Sequence, residues 1–62
     1  MSKVIKNIHT LKEADSYLIT SGIEFDDRIK IGNEYLYFIG TPNEEHVAWF
    51  NRKEKTLYLN NT

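Results

Sequence analysis

Apolar residues near the start of the chain recur at helical spacing. Leu11, Ala14 and Leu18 lie three and four residues apart, and most of the residues between them are polar. Such spacing places apolar side chains along one side of a helix. The pattern predicts an amphipathic helix from about Leu11 to Ser21, which needs a sheet beneath it to bury its apolar side.

Residues at both ends of this segment are suited to capping a helix. Thr10 and Glu13 stand at the spacing of a capping box, which satisfies backbone N–H groups of the first turn. Gly22 can adopt the positive φ that closes a Schellman motif, and Ile23 then falls where it packs back on Leu18. Both ends of the helix are therefore specified locally.

After this segment the pattern changes to an alternation with a period of two residues, which is typical of β-strands. Four strands are predicted: Arg28 to Ile31, Glu34 to Ile39, His46 to Asn51, and Thr56 to Asn60. Gly32 and Asn33 suit a two-residue hairpin turn, and Arg52 to Lys55 suit a four-residue hairpin loop. The result is a meander of two hairpins.

The opening residues Lys3 to Ile8 also alternate, and they could form either a fifth strand at one edge of the sheet or an ordered arm. Neither a repeat nor a linker divides the chain. We therefore expect one small α+β domain over residues 1–62. Its N-terminal helix packs on an antiparallel sheet of four or five strands.

The alternation divides the apolar strand residues between two faces of this sheet. The face expected to meet the helix contains Ile29, Ile31, Leu36, Phe38, Ala48, Phe50, Leu57 and Leu59. The opposite face then contains Tyr35, Tyr37, Ile39, Val47, Trp49 and Tyr58. A helix of about 11 residues is only about 16 Å long and covers one face, so the aromatic face must be exposed, covered by the N-terminal arm or buried against another molecule. The last is favoured, because exposed apolar patches of this size usually mark interaction sites.

Composition narrows the classes of function. The 62 residues include eight basic and nine acidic side chains, a net charge of −1 that lacks the basic surplus of a dedicated nucleic-acid binder. The chain has no cysteine, which excludes disulfides and thiolate chemistry and favours a cytoplasmic location. No apolar run approaches the roughly 20 residues of a membrane span, so we expect no membrane association.

Residues with catalytic or metal-binding potential are scattered. His9 and His46 are the only histidines, and their spacing to Glu44 and Glu45 matches no metal-ligand motif. The serines form no nucleophile motif, and the glycines form no phosphate-binding loop. We expect a protein that is not an enzyme and that has no cofactor and no metal.

These observations favour a protein-binding module. Its predicted binding or dimer interface is the aromatic face: Tyr35, Tyr37, Ile39, Val47, Trp49 and Tyr58. The short, cysteine-free chain, rich in Lys, Asn, Ile and Tyr, resembles the small accessory proteins of phages and mobile elements in Gram-positive bacteria. That resemblance implies a stoichiometric inhibitor or regulator that blocks a host protein. We expect its partners to be a second copy, in a homodimer, and a target protein.

A single-stranded nucleic-acid binder is the alternative. Aromatic side chains on a sheet can stack unpaired bases, and Arg52, Lys53 and Lys55 could contact phosphates. Glu54 lies inside this basic loop and the whole chain is slightly acidic, which weighs against a polyanionic partner.

Overall fold

A computed structural model describes residues 3–60 of the chain. Its elements are β1 (Lys3–Lys6), α1 (Leu11–Thr20), β2 (Asp27–Ile31), β3 (Glu34–Ile39), β4 (Glu45–Asn51) and β5 (Thr56–Leu59). The strands form one antiparallel sheet in the order β1-β5-β4-β3-β2. The predicted α+β fold is confirmed, and the opening segment, whose place the pattern left open, is an edge strand beside β5.

The predicted caps of α1 are confirmed. The Thr10 hydroxyl accepts a hydrogen bond from the Glu13 backbone N–H at 3.1 Å. Gly22 has a φ of +76°, and the Ile23 N–H donates to the Leu18 carbonyl at 2.9 Å, as a Schellman motif requires. The helix begins at the predicted residue and ends one residue earlier than predicted.

Both hairpins have the predicted turns. Ile31 pairs with Glu34 across a two-residue turn in which Gly32 has a φ of +63°, a conformation that glycine adopts without strain. Asn51 pairs with Thr56 across the four-residue loop of the second hairpin. Local sequence therefore determines the register within each hairpin.

The register between the two hairpins differs from the prediction. Leu36 of β3 lies opposite Trp49 of β4, and Tyr37 lies opposite Ala48. Val47 is an additional residue in β4 at a β-bulge, since the next residue of β3 pairs one position beyond it. As a result, the apolar sets of the two hairpins that were predicted to share a face lie on opposite faces.

The main core lies between α1 and one face of the sheet. Its buried members are Ile8, Ala14, Leu18, Tyr37, Ala48, Phe50, Leu57 and Leu59. Tyr37 is fully buried there, beside the small Ala48 and under α1. The prediction that Ile29, Ile31, Leu36 and Phe38 meet the helix is wrong: they alternate with Tyr37 and lie on the other face.

Candidate binding face

A continuous apolar row crosses the face of the sheet that α1 does not cover. It takes one residue from each strand, in the order Val4, Tyr58, Trp49, Leu36 and Ile29. The row follows from the registers, because each member is paired directly with the next. We call these five residues the apolar row.

Two further rows flank the apolar row on the same side of the sheet. The first flanking row, at the end where β2 and β3 join, is Lys6, Thr56, Asn51, Glu34 and Ile31. The second flanking row, at the opposite end, contains His46, Phe38 and Asp27. We call the three rows together the open face. It is apolar along its middle and mainly polar along both sides.

Members of the open face differ widely in exposure. Leu36 and Phe38 are nearly covered by their neighbours, at 2% and 6% exposure. Val4 and Ile31, on the two edge strands, are each 48% exposed. Trp49 is partly exposed between these extremes. Large apolar side chains at the ends of the open face therefore contact solvent, although polar side chains are usual on an uncovered sheet.

His46 lies beside Trp49 at one side of the open face. The two rings meet edge to face with centroids 5.7 Å apart. The His46 Nε2–H donates to the Pro42 carbonyl at 2.6 Å, and the Asn60 amide donates to the His46 carbonyl at 2.7 Å. The hydrogen bond to Pro42 orients the His46 ring against Trp49, and the hydrogen bond from Asn60 holds the His46 backbone.

Tyr58 is held by a hydrogen bond at the turn between β4 and β5. Its hydroxyl donates to Glu54 Oε1 at 2.7 Å. This hydrogen bond raises the pKa of Tyr58, with smaller contributions from desolvation and from the charges of Glu54 and Glu34. Tyr58 therefore lies near two carboxylates, and Lys6 and Lys55 line the same cleft.

Charges on the open face are unevenly placed. Glu34 and Asp27 lie on β3 and β2, toward one edge of the sheet, whereas Lys6 lies on β1, the strand at the opposite edge. Within residues 3–60, the one ion pair joins Arg28 and Asp15, so neither Lys6 nor Glu34 is neutralised by a partner there. A partner can pair with both charges.

Only two of the six residues of the predicted interface lie on the open face. Trp49 and Tyr58 do, in the middle of the apolar row. The placement of Tyr37 there is wrong, since it is buried under α1, and Tyr35 and Val47 pack against the same core. The remaining member, Ile39, follows Tyr37 by alternation on the helix side of β3.

The open face contains several apolar residues that the sequence had assigned elsewhere. Ile29, Leu36 and Phe38 were assigned to the core under the helix, and Val4 had no assigned place. The strand pairing of Val4 with Tyr58 could have been inferred from the alternation of β1, had its partner strand been known.

On the helix side, Tyr37 forms a polar link between the sheet and α1. Its hydroxyl donates to Asp15 Oδ1 at 2.5 Å, and Arg28 Nη1 lies 3.2 Å from Asp15 Oδ2. Burial and the hydrogen bond to Asp15 raise the pKa of Tyr37 far above its usual range. The phenol is therefore a permanent hydrogen-bond donor here and is unsuited to act as a base.

Clefts in the described part of the chain do not gather catalytic groups. One of about 360 Å³ lies between the end of α1 and β4–β5; its lining residues are Lys3, Tyr17, Ser21, Ile23, Val47, Leu59 and Asn60. Among residues 3–60, no three His, Asp or Glu side chains converge to form a metal site. The same residues include no helix long and apolar enough to cross a membrane.

No protein-family model matches this chain, and no curated protein or solved structure matches it either.

Proposed function

We propose that this chain is a non-enzymatic protein-binding module whose binding surface is the open face. The apolar row, which crosses all five strands on the side without a helix, is the observation that supports this function. An apolar patch of this breadth on a small chain usually marks an interaction site.

The open face also suggests the chemistry of its partner. Trp49 and Tyr58 occupy its middle, and aromatic residues at the centre of an interface supply much of its binding energy. Glu34 and Asp27 lie in the flanking rows, and Glu54 accepts a hydrogen bond from the Tyr58 hydroxyl. The expected partner is a protein surface with an apolar ridge and with Lys or Arg side chains beside it.

A module of this kind acts by covering a surface of its target. We propose that it is a stoichiometric inhibitor or regulator, which agrees with its resemblance in length and composition to phage and mobile-element accessory proteins. A chain without cysteine suits action in a reducing compartment such as the cytoplasm.

Affinity capture from an extract of the native host tests this function. Ile31→Glu places a charge on an open-face position that is 48% exposed, so folding should tolerate it. The matched control is Ile19→Glu, on the outside of α1 at 68% exposure. We expect one captured protein to be retained by the wild type and by Ile19→Glu and lost from Ile31→Glu and Trp49→Ala. If all four baits capture the same proteins, the open face is not the binding surface.

The same variants separate a protein partner from single-stranded nucleic acid. An oligo-dT probe at about 150 mM salt should show no binding, because the chain carries a net charge of −1 and Glu54 binds the Tyr58 hydroxyl. Micromolar binding of this probe that falls with salt and is lost in Trp49→Ala would favour the nucleic-acid function instead.

A further inference from the structure

We infer that a second copy of this chain occupies the open face when no target is present, in a dimer whose two sheets stack face to face. This inference rests on the proposed function, because it uses the same surface, and adds an occupant and a geometry. It follows from the order of apolar and charged residues across the five strands.

A two-fold axis that passes through Trp49 parallel to the strands reverses the strand order of the second copy. β1 of one subunit then faces β2 of the other, and Val4 faces Ile29 of the partner subunit. Tyr58 faces Leu36 of the partner subunit in the same way. Each member of the apolar row meets another member, so no polar side chain is buried at the middle.

The same axis brings opposite charges together. Lys6 and Glu34 belong to one flanking row, on the first and fourth strands of the five. Reversal of the strand order places Lys6 over Ile31 of the partner subunit, one strand to the side of Glu34 of the partner subunit. The lateral offset is about 4.8 Å and stacked sheets lie about 10 Å apart, a gap across which the long lysine side chain reaches the carboxylate. Symmetry repeats this pair at the other end of the interface. Neither residue has an ion-pair partner within residues 3–60 of its own chain.

The other face-to-face symmetry is less favourable. An axis perpendicular to the strands would lay each flanking row over the opposite one. Asp27 would then face Ile31 of the partner subunit, with the like charge of the partner's Glu34 one strand away, and Lys6 would meet no carboxylate of the open face. Burial of an unpaired carboxylate against an apolar side chain costs free energy. The arrangement of charges therefore selects the axis parallel to the strands.

The area of the open face suits a dimer that can dissociate. Five strands spaced about 4.8 Å apart are about 24 Å wide, and three rows about 7 Å apart span about 20 Å. Stacking would bury about 500 Å² on each subunit, or about 1,000 Å² in total, near the lower limit for specific interfaces. A target that offers a larger interface could displace the second copy.

Charge exchange tests this geometry by sedimentation equilibrium between about 10 μM and 1 mM protein. We expect the wild type to dimerise, and Lys6→Glu and Glu34→Lys each to raise the dimer dissociation constant about tenfold by opposing like charges. In the double variant, the dissociation constant should return to within about threefold of the wild-type value, since the ion pair between positions 6 and 34 is re-formed with its charges exchanged. Lys12→Glu and Glu24→Lys are the matched controls, at exposed positions away from the open face.

A second measurement does not depend on any substitution. The wild-type dissociation constant should rise between about 50 and 500 mM NaCl, because the two ion pairs lie at the solvent-exposed ends of the interface. A dimer dissociation constant that does not change with salt would overturn the arrangement. So would a double variant whose loss of dimerisation free energy equals the sum of the losses in the two single variants.

The outcomes also separate this inference from the proposed function. A wild type that stays monomeric at 1 mM overturns the dimer, even if Ile31→Glu still abolishes target capture. If charge exchange rescues the dimer but no captured protein depends on the open face, the inference holds and the proposed function fails.

Discussion

At the scale of single residues, Gly22 shows how one backbone angle ends a helix. A Cβ atom added at Gly22 would have no heavy atom within 4 Å, so sterics with other segments play no part. The φ of +76° alone demands glycine there. The sequence was sufficient to locate this position because the requirement is local.

Gly22→Ala should therefore lower the free energy of unfolding by about 1 kcal/mol, and Gly22→Val by more, because side chains with a Cβ are strained at positive φ. Urea denaturation followed by far-UV circular dichroism measures this loss. Ser21→Ala is the control, since Ser21 has a φ of −82° and should lose little. Equal stability of Gly22→Val and the wild type would contradict the Schellman motif.

Tyr37 shows a limit of sequence reasoning at the same scale. Its aromatic ring packs edge to face with Phe25 at a centroid distance of 4.8 Å, while its hydroxyl reaches Asp15 on α1. A buried tyrosine needs such a partner, and none is visible from the strand pattern alone. The sequence therefore assigned Tyr37 to the open face.

Tyr37 makes unfolding sensitive to alkaline pH. Its pKa is raised in the folded state, so its stabilising contribution is complete below the unfolded pKa of about 10 and falls as pH rises beyond it. Above the unfolded pKa, this one group lowers the free energy of unfolding by about 1.4 kcal/mol for each pH unit.

Urea denaturation of Tyr37→Phe at several pH values measures this contribution. The variant should be less stable by about 1–2 kcal/mol at pH 7, because the hydrogen bond to Asp15 is lost. Above pH 10, the free energy of unfolding of the variant should decline less steeply with pH than that of the wild type. Between pH 7 and 9, the two free energies should change with pH in parallel. Equal slopes above pH 10 would show that Tyr37 does not control the alkaline response.

At the scale of secondary-structure elements, the hairpins were predictable and their mutual register was not. Turn residues determine register within a hairpin, as Gly32 does between β2 and β3. In β3, by contrast, every residue from Tyr35 to Ile39 is apolar or aromatic, so an alternation with a period of two residues cannot identify the core face. The bulge at Val47 adds a shift that the pattern in β4 does not reveal.

Adjacent residues of β4 test the observed faces. Phe50 is fully buried under α1, so Phe50→Ala should cost about 3–5 kcal/mol, comparable with the whole stability of so small a protein. Trp49→Ala should cost less, since Trp49 is partly exposed on the open face. Urea denaturation at about 1 μM protein compares the two in the monomer.

Phe50→Leu, which should lose about 1 kcal/mol, keeps this comparison possible if Phe50→Ala does not fold. A larger loss for Trp49→Ala than for Phe50→Ala would mean that α1 covers the other face.

At the scale of the whole molecule, one helix of ten residues and five strands leave stability and association linked. Within residues 3–60, α1 covers one face of the sheet, and the open face would be buried only by the proposed partner. Association that buries the open face therefore adds to the free energy of unfolding through mass action.

Thermal unfolding should depend on protein concentration. The midpoint of the wild type is expected to rise by a few degrees between about 10 μM and 1 mM, because the proposed dimer forms from the folded state alone. Glu34→Lys should show little rise over the same range, and Glu24→Lys should behave like the wild type. Differential scanning calorimetry measures the midpoint; one that does not change with concentration would indicate a monomer.

The pairing of β1 with β5 has a consequence for the order of folding. Strands β2 to β5 each pair with a strand that is adjacent in the sequence. By contrast, β1 pairs with β5, so that Lys3 lies opposite Leu59 from the far end of the described chain. Such a pair closes the longest loop, so it should form late and open first. Amide hydrogens of β1 should exchange with deuterium sooner than those of β3 and β4. Because β1 carries Val4 and Lys6, each opening of this edge strand would briefly remove one end of the open face.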